Sequence, residues 1–117
     1  MTLSYLATPF SLHPRGHEAA FIEAARIAGK LVLSGVNCYS PIVSCYPLSV
    51  HAGLDPMDLR FWLGYDEVML HKADVLIVAP MDGWKESKGM AHEIAFFERQ
   101  GKPIFDLHLR TFKMVKR

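Results

Sequence analysis

The sequence predicts an α/β fold in which a parallel β-sheet lies between two layers of helices. Short apolar runs alternate with longer segments in which apolar residues recur at helical spacing, and glycines and prolines separate them. Such alternation favours parallel strands joined by right-handed crossovers. The most apolar run, Val75–Ala79, has no polar face, which is typical of a central strand covered on both sides.

The first half of the chain contains two predicted strands and one predicted helix. Leu3–Ala7 is a short apolar run, and we expect a buried strand there. Apolar residues recur at i, i+3/i+4 and i+7 from Arg15 to about Leu33, which predicts a helix. Val36–Tyr39 is the second candidate strand. Ile42–Gly53 fits either a short helix or a loop, because Pro47 interrupts it.

The second half of the chain contains two predicted helices and two predicted strands, the first of which is the central strand. Asp55 can cap a helix that has Pro56 at its first position and runs to about Lys72. After the central strand and a loop, Ser87 can cap a helix that runs to about Gln100. Pro103–Leu107 is the last predicted strand, and the basic tail, residues 110–117, is expected to fray.

These elements predict one domain over residues 1–117, with a three-layer, flavodoxin-like or Rossmann-like parallel sheet of four or five strands and helices on both faces. Ligands of such sheets bind beyond the carboxyl ends of the strands. We therefore expect the functional site among loops 7–11, 39–44 and 79–87 and the residues that follow position 107.

Composition excludes several classes of partner. Half of the residues are apolar and 21% are charged, as in a compact globular protein. The net charge of +1 and the lack of a basic stripe argue against a polymeric nucleic acid as partner. No apolar stretch is long enough to span a membrane, and the N-terminus has no leader pattern. With only Cys38 and Cys45 as cysteines, we expect no disulfide framework and a cytoplasmic location.

Asp66 is the most informative anomaly in the sequence. It falls in the middle of the apolar stripe of the Pro56–Lys72 helix, three residues from both Leu63 and Met69. A carboxylate on a core-facing stripe is costly unless it is paired or lines a cavity. Burial would raise its pKa toward the range of a general acid. The alternative is an aspartate that caps a loop or accepts from buried backbone amides.

Glu93 is the second candidate acid. It borders the apolar face of the Ser87–Gln100 helix, which begins just beyond the central strand. The positive end of the helix dipole favours an ionised carboxylate there. One carboxyl raised by burial and one kept ionised make up the acid and nucleophile pattern of glycosidic chemistry. The alternative is a glutamate on a solvated helix face.

Two further groups of residues could contact a ligand. Ser87, Lys88 and Gly89 open a helix, where a hydroxyl and free amides can bind an anion, although Ser87 could equally be an ordinary cap. Aromatic residues near the same edge could stack on a planar ligand or simply belong to the core. These aromatic residues are Tyr5, Phe10, Tyr39 and Trp84.

Other chemistries lack support in the sequence. The six histidines form no H-E-x-x-H motif and have no zinc spacing with the cysteines, so we expect no metal. There is no Gly-rich dinucleotide fingerprint, no Walker A loop and no G-x-S-x-G elbow, and we expect no cofactor.

Three blocks of sequence carry a resemblance to a known family. They are the strand and polar loop Ser4–Ser11, the block Asp66–Val75 with its acid eight residues before Asp74, and Ser87-x-Gly89-x-x-x-Glu93. In this order and spacing, the chain resembles the nucleoside 2-deoxyribosyltransferase superfamily, within a small bacterial and phage branch that is a domain of unknown function.

The resemblance implies roles for individual residues. Glu93 would be the nucleophile or would stabilise the oxocarbenium ion, Asp66 would be the acid that helps the base leave, and Tyr5 would orient Glu93. Ser87 matches the branch that cleaves 2′-deoxynucleoside 5′-monophosphates, in which this hydroxyl binds phosphate. Substrate contacts are expected from the residues Ser87, Gly89, Thr8, Pro9, Tyr39 and Trp84.

The sequence therefore predicts cleavage or exchange of an N-glycosidic bond in a nucleoside or nucleoside 5′-monophosphate, by a transferase or a hydrolase. The alternatives are a nucleotide-binding or sensing module without turnover and an NAD-cleaving enzyme. Members of the superfamily are oligomers, so the resemblance implies a homodimer or larger. Phe61 and Phe96 are aromatic side chains that the helical pattern leaves outside the core and that a partner subunit could cover.

Overall fold

The computed structural model describes all 117 residues, which form five strands and four α-helices. The strands β1 to β5 span Ser4–Ala7, Cys38–Tyr39, Val75–Val78, Ile104–Leu107 and Met114–Lys116. The helices α1 to α4 span His17–Leu33, Pro41–Ala52, Leu59–Lys72 and Lys88–Gln100. A single 3₁₀ turn, Trp84–Glu86, lies in the loop that was predicted between β3 and α4.

The five strands form one sheet in the order β2-β1-β3-β4-β5. The first four are parallel, with Ser4 of β1 paired to Cys38 on one side and to Val75 on the other. This order, with a crossover back past β1, is the flavodoxin-like arrangement. The predicted fold class is confirmed, with a fifth strand that runs antiparallel to β4.

Two apolar clusters cover the two faces of the sheet. On one face, Leu6 and Ile77 of the strands pack with Ile27 and Leu31 of α1. On the other face, the neighbouring strand residues pack against α3 and α4, where Phe97 is fully buried. Since successive side chains of a strand point to opposite faces, each fully buried strand supplies both clusters. The result is the predicted three-layer architecture.

The C-terminal tail was expected to fray, and this expectation was wrong. Residues Met114–Lys116 return along β4 and pair with it, with Phe105 opposite Lys116. The guanidinium of Arg117 closes the pair, because its Nε and Nη2 donate to the two oxygens of Asp106 at 2.9 and 3.1 Å. A bidentate contact of this kind fixes both partners.

The segment whose structure the sequence left open is a helix, α2. Ser40 caps it, because its hydroxyl accepts from the amide of Val43 at 3.2 Å, and Pro41 occupies the first position. Gly53 ends it in the left-handed conformation with φ of 74°. Pro47 lies inside this helix at the loss of one intrahelical hydrogen bond.

The start of α3 differs from the prediction by three residues. Asp58, rather than Asp55, is the cap, and its carboxylate accepts from the amide of Phe61 at 3.2 Å. Asp55 instead holds a turn before the helix, where it accepts from the amide of Met57 at 2.9 Å. Two aspartates three residues apart both fit the capping pattern, so local sequence could not separate them.

No helix in the structure combines the length and the apolar composition that crossing a membrane requires.

Candidate functional site

A cavity of about 350 Å³ opens at the carboxyl edge of the sheet. Its walls come from the segment after β1, from α2 and α3 with the turn between them, and from the first two turns of α4. Three of the four segments at which the sequence placed the site therefore contribute to it. The residues after Leu107 do not.

Glu93 lies in the second turn of α4 and lines the cavity, although only 7% of its surface is exposed. Burial raises its pKa from an ordinary 4.5 to about 8; the nearby hydroxyl of Tyr5 lowers it, and the charge of Asp66 raises it further. The sequence-based expectation that the helix dipole would keep Glu93 ionised is therefore wrong. Burial removes the water that would stabilise the charge of Glu93, and this effect on its pKa outweighs that of the helix dipole.

Tyr5 lies in β1 and is 1% exposed. Burial raises the pKa of its hydroxyl far above the usual range, and the charges of Glu93 and Asp66 raise it further. The phenol is therefore neutral, and it lies close enough to Glu93 that each group shifts the pKa of the other. The structure brings Tyr5 together with both carboxyl groups that the sequence singled out.

Asp66 projects from α3 into the cavity and is half-buried. Its Oδ1 accepts from the hydroxyl of Tyr39 at 3.0 Å and from the thiol of Cys45 at 3.4 Å. Burial raises its pKa, whereas the two hydrogen bonds lower it. Its partners are thus side chains of other elements, rather than the backbone amides that the alternative interpretation required.

The polar side of the cavity lies between the loop that follows β1 and the start of α4. The hydroxyl of Ser87 caps α4 by accepting from the amide of Met90 at 3.2 Å. Ser87 also lines the cavity, as do Lys88 and Gly89. Opposite this start, Thr8 is 5% exposed and its Oγ1 has no hydrogen-bond partner. Free amides and an unpaired hydroxyl give this side the capacity to hold a polar or anionic group.

Gly83 lets the loop that follows β1 approach the loop between β3 and α4. Its φ is 90°, and a Cβ at this position would lie 2.9 Å from the carbonyl oxygen of Leu12. Any side chain here would therefore push the Leu12 segment away from its place in the cavity wall.

Three predicted contact residues lie outside the cavity wall. Pro9, in the loop that follows β1, is fully buried, and Trp84 packs against the core on the α3–α4 side of the sheet. Tyr39 does not line the cavity, but its hydroxyl donates a hydrogen bond to Asp66, which does. Phe10 does line it and stacks on the ring of His17, with 4.3 Å between the ring centroids.

The apolar side of the cavity was missed at the sequence level. Tyr46 of α2, Met57 and Leu59 before and at the start of α3, and Trp62 of α3 all line it. The indole N–H of Trp62 donates to the carbonyl oxygen of Asp55 at 2.8 Å, which fixes the position of the ring in the cavity wall. These residues fall in α2, whose structure the sequence left open, and at the start of α3, which the sequence placed three residues too early.

No group of three or more histidine, cysteine, aspartate or glutamate side chains in the structure is arranged to hold a metal ion.

Fold and site together define a class: an α/β protein with a cavity at the carboxyl edge of a parallel sheet that is lined by a pair of carboxyl groups. The sequence profile of the family described as Domain of unknown function (DUF1937) matches residues 2–108. The chain belongs to this family. The match covers β1 to β4 and every residue of the cavity. A search of curated proteins found no match.

Proposed function

We propose that the protein cleaves or exchanges the N-glycosidic bond of a nucleoside or nucleoside 5′-monophosphate, as the resemblance to the nucleoside 2-deoxyribosyltransferase superfamily implies. One observation carries the proposal. Asp66 and Glu93 come from different helices, line the same cavity, and are close enough that the charge of Asp66 raises the pKa of Glu93. Most enzymes that cleave glycosidic bonds use two carboxyl groups that face the same cavity.

The proposed reaction needs one proton and one negative charge on this pair. The carboxylate of Glu93 attacks C1′, the C1′–N bond breaks, and its electron pair stays with the base, which takes a proton from Asp66. Water then cleaves the glycosyl ester in a hydrolase, and a second base does so in a transferase. Tyr5, whose neutral hydroxyl lies near Glu93, would donate to it and fix the orientation of the attacking oxygen.

The reaction needs Glu93 in its ionised form, whereas burial favours its protonated form at rest. With a pKa of about 8, Glu93 is mostly neutral at pH 7 in the free protein. Since the two carboxyl groups interact, their protons belong to the pair rather than to either residue. Positive charge that develops at C1′ favours the form in which Glu93 is ionised and Asp66 holds the proton.

The walls of the cavity match the parts of a nucleotide. The polar side, with Thr8, Ser87 and Gly89, suits the sugar hydroxyls and the 5′-phosphate. The apolar side, with Tyr46 and Trp62, suits the flat face of a base. A volume of about 350 Å³ is at the small end of ligand cavities, which run from ~300 to 1,000 Å³, and favours one nucleotide over a dinucleotide such as NAD.

The experiment is a search for released base. Purified protein is incubated with pools of ribonucleosides, deoxynucleosides, their 5′-monophosphates and NAD, and free base or nicotinamide is separated by chromatography. Glu93→Gln and Asp66→Asn are run beside the wild type, with Glu98→Gln, an exposed carboxyl on the same helix, as the matched control. We expect base release from the wild type and Glu98→Gln and almost none from Glu93→Gln.

A second candidate function is a nucleotide-binding module without turnover. The neutral resting state of Glu93 favours it, because an uncharged side chain can bind a ligand but cannot attack it. Ligand-induced thermal stabilisation with no release of base from any pool would favour this candidate and contradict the enzymatic one. Release of nicotinamide alone would favour an NAD-cleaving enzyme.

Self-association is part of the same proposal, because the resemblance implies a homodimer or larger. Helix α3 exposes about half of Phe61, Tyr65 and Val68 to solvent. Phe96, which was expected to be exposed as well, is 5% exposed and belongs to the core instead. Sedimentation velocity on the wild type and on Phe61→Ser tests whether the α3 face associates.

A further inference from the structure

Two hydrogen-bond donors from different elements converge on a single oxygen of Asp66. The hydroxyl of Tyr39, at the end of β2, lies 3.0 Å from Oδ1, and the thiol of Cys45, in α2, lies 3.4 Å from the same atom. No hydrogen bond within the protein reaches the other carboxyl oxygen, Oδ2. The proposed mechanism uses Asp66 but assigns no task to either donor.

This arrangement distinguishes the two oxygens of the acid. Oδ1 is occupied as an acceptor twice, so a protonated Asp66 carries its proton on Oδ2. Both donors remain protonated across the physiological range, because burial raises the pKa of Cys45 to about 12 and that of Tyr39 still further. The donors therefore do not exchange roles with the acid they contact.

We propose that Tyr39 and Cys45 are positioning residues that direct the proton of Asp66 onto Oδ2 and toward the departing base. This inference rests on the proposed function. In the step concerned, the proton leaves Oδ2 for a nitrogen of the base while the C1′–N bond breaks and its electron pair stays with the base. Asp66 becomes a carboxylate, and the two donors stabilise the new charge on Oδ1.

Four ionisable side chains face Asp66, and their effects differ in sign. Tyr39 from β2 and Cys45 from α2 stabilise its ionised form through hydrogen bonds. Glu93 from α4 and Tyr5 from β1 would carry negative charge when ionised, and the charge of Asp66 raises the pKa of both. Removal of either donor therefore shifts the balance toward the protonated form of Asp66.

The first arm of the test measures Asp66 without any substrate. The protein is labelled with ¹³C at the aspartate carboxyl carbons and titrated by NMR, and Asp66→Asn identifies the resonance. We expect the pKa of Asp66 to rise in Tyr39→Phe and in Cys45→Ala and to return toward the wild-type value in Cys45→Ser. Cys38→Ala is the matched control, because this half-buried cysteine does not contact Asp66. An unchanged pKa in both donor variants would overturn the inference.

The second arm separates positioning of the acid from a merely structural role. A purine nucleotide needs protonation to leave, whereas its N7-methylated cationic counterpart leaves as a neutral base without an acid. We expect Tyr39→Phe and Cys45→Ala to lower kcat/KM about 10- to 100-fold on the first substrate, as for the loss of a hydrogen bond to a charged group, and to leave the second unchanged. Equal losses on both substrates would overturn the inference. A wild type that releases base from neither substrate refutes the proposed function, and the NMR titration then decides the hydrogen bonds alone.

Discussion

The two helices that carry the carboxyl groups meet the sheet in different ways. Helix α4 buries Met90, Phe96 and Phe97 together with Glu93. Helix α3 buries only Leu70 completely, and several of its large apolar side chains remain about half exposed. The cavity wall formed by α4 is therefore part of the core, whereas the wall formed by α3 is partly exposed to solvent.

The difference appears in the chemistry of the two acids. Glu93 is almost fully buried beside Tyr5, and burial is the dominant influence on its pKa, which it raises to about 8. Asp66 is half-buried and has two donors on one oxygen, which offset part of the effect of burial. The comparison teaches that depth in the fold sets the cost of charge on each acid, while local donors set how much of that cost is recovered.

The largest expected effect distinguishes the two acids by activity. Loss of the attacking group in Glu93→Gln should lower kcat for base release by at least about 10³-fold. Loss of the general acid in Asp66→Asn should cost about 10²- to 10⁴-fold on neutral bases and much less on cationic ones. Steady-state kinetics on both substrate types measures this. A Glu93→Gln variant that retains substantial turnover would break the assignment.

The next effect tests how the two helices are packed. Phe97→Ala should lower the free energy of unfolding by about 3–5 kcal/mol, because Phe97 has no exposed surface in the structure. Phe61→Ser on α3 should change it by no more than about 0.5 kcal/mol at a protein concentration at which the chain is monomeric, because about half of that side chain is then in water. Urea denaturation monitored by circular dichroism gives both values. Similar losses in the two variants would contradict the conclusion that α4 is part of the core and α3 is partly exposed.

A third effect concerns the stability of the fold as a function of pH. The pKa of Glu93 is raised on folding, so the folded protein binds more protons than the unfolded chain between pH 4.5 and about 8. Its contribution is complete below pH 4.5 and is lost as the pH rises through about 8. Glu93→Gln should remove this loss, which is on the order of a few kcal/mol. Denaturation curves at pH 5 and pH 9 for both proteins check it, and parallel pH profiles would contradict it.

The smallest expected effect concerns the start of α4. Ser87→Ala removes the side-chain cap of the helix and should lower stability by about 1 kcal/mol. If the start of α4 also binds phosphate, the variant should lose affinity for nucleoside 5′-monophosphates but not for nucleosides. Isothermal titration with a matched nucleoside and monophosphate measures the difference. An equal loss for both ligands would separate Ser87 from the phosphate.

The parts of the molecule that the sequence predicts are those with a strong local signal. The apolar run of β3, the Ser87 cap with Gly101 at the end of α4, and the position of Asp66 on an apolar stripe all follow from neighbouring residues. Glu93 follows from its distance to that cap, although its pKa does not. The pKa of Glu93 depends on how tightly α4 packs on the sheet, and the pattern of neighbouring residues does not predict this packing.

The remaining features arise from contacts that are distant in the chain. Tyr39 and Cys45 reach Asp66 across 27 and 21 residues, so no spacing rule connects them. Strand β5 forms because β4 offers a free edge and Arg117 can pair with Asp106, and neither reason is local to the tail. Helix α2 forms despite Pro47 because the Ser40 cap and Gly53 set its ends.

The central claim is that the carboxylate of Glu93 attacks C1′, and trapping the glycosyl ester tests it most directly. Fluorine at C2′ of the substrate destabilises the cationic transition state and slows breakdown of the ester, so the adduct accumulates. The base is the one that the chromatographic panel identifies. Intact-protein mass spectrometry should show the wild type heavier by one fluorinated sugar unit, with its phosphate where the substrate has one. Peptide mapping should place this unit on Glu93, and Glu93→Gln should show no adduct. Release of base with no adduct, or with the adduct on another residue, would contradict the account.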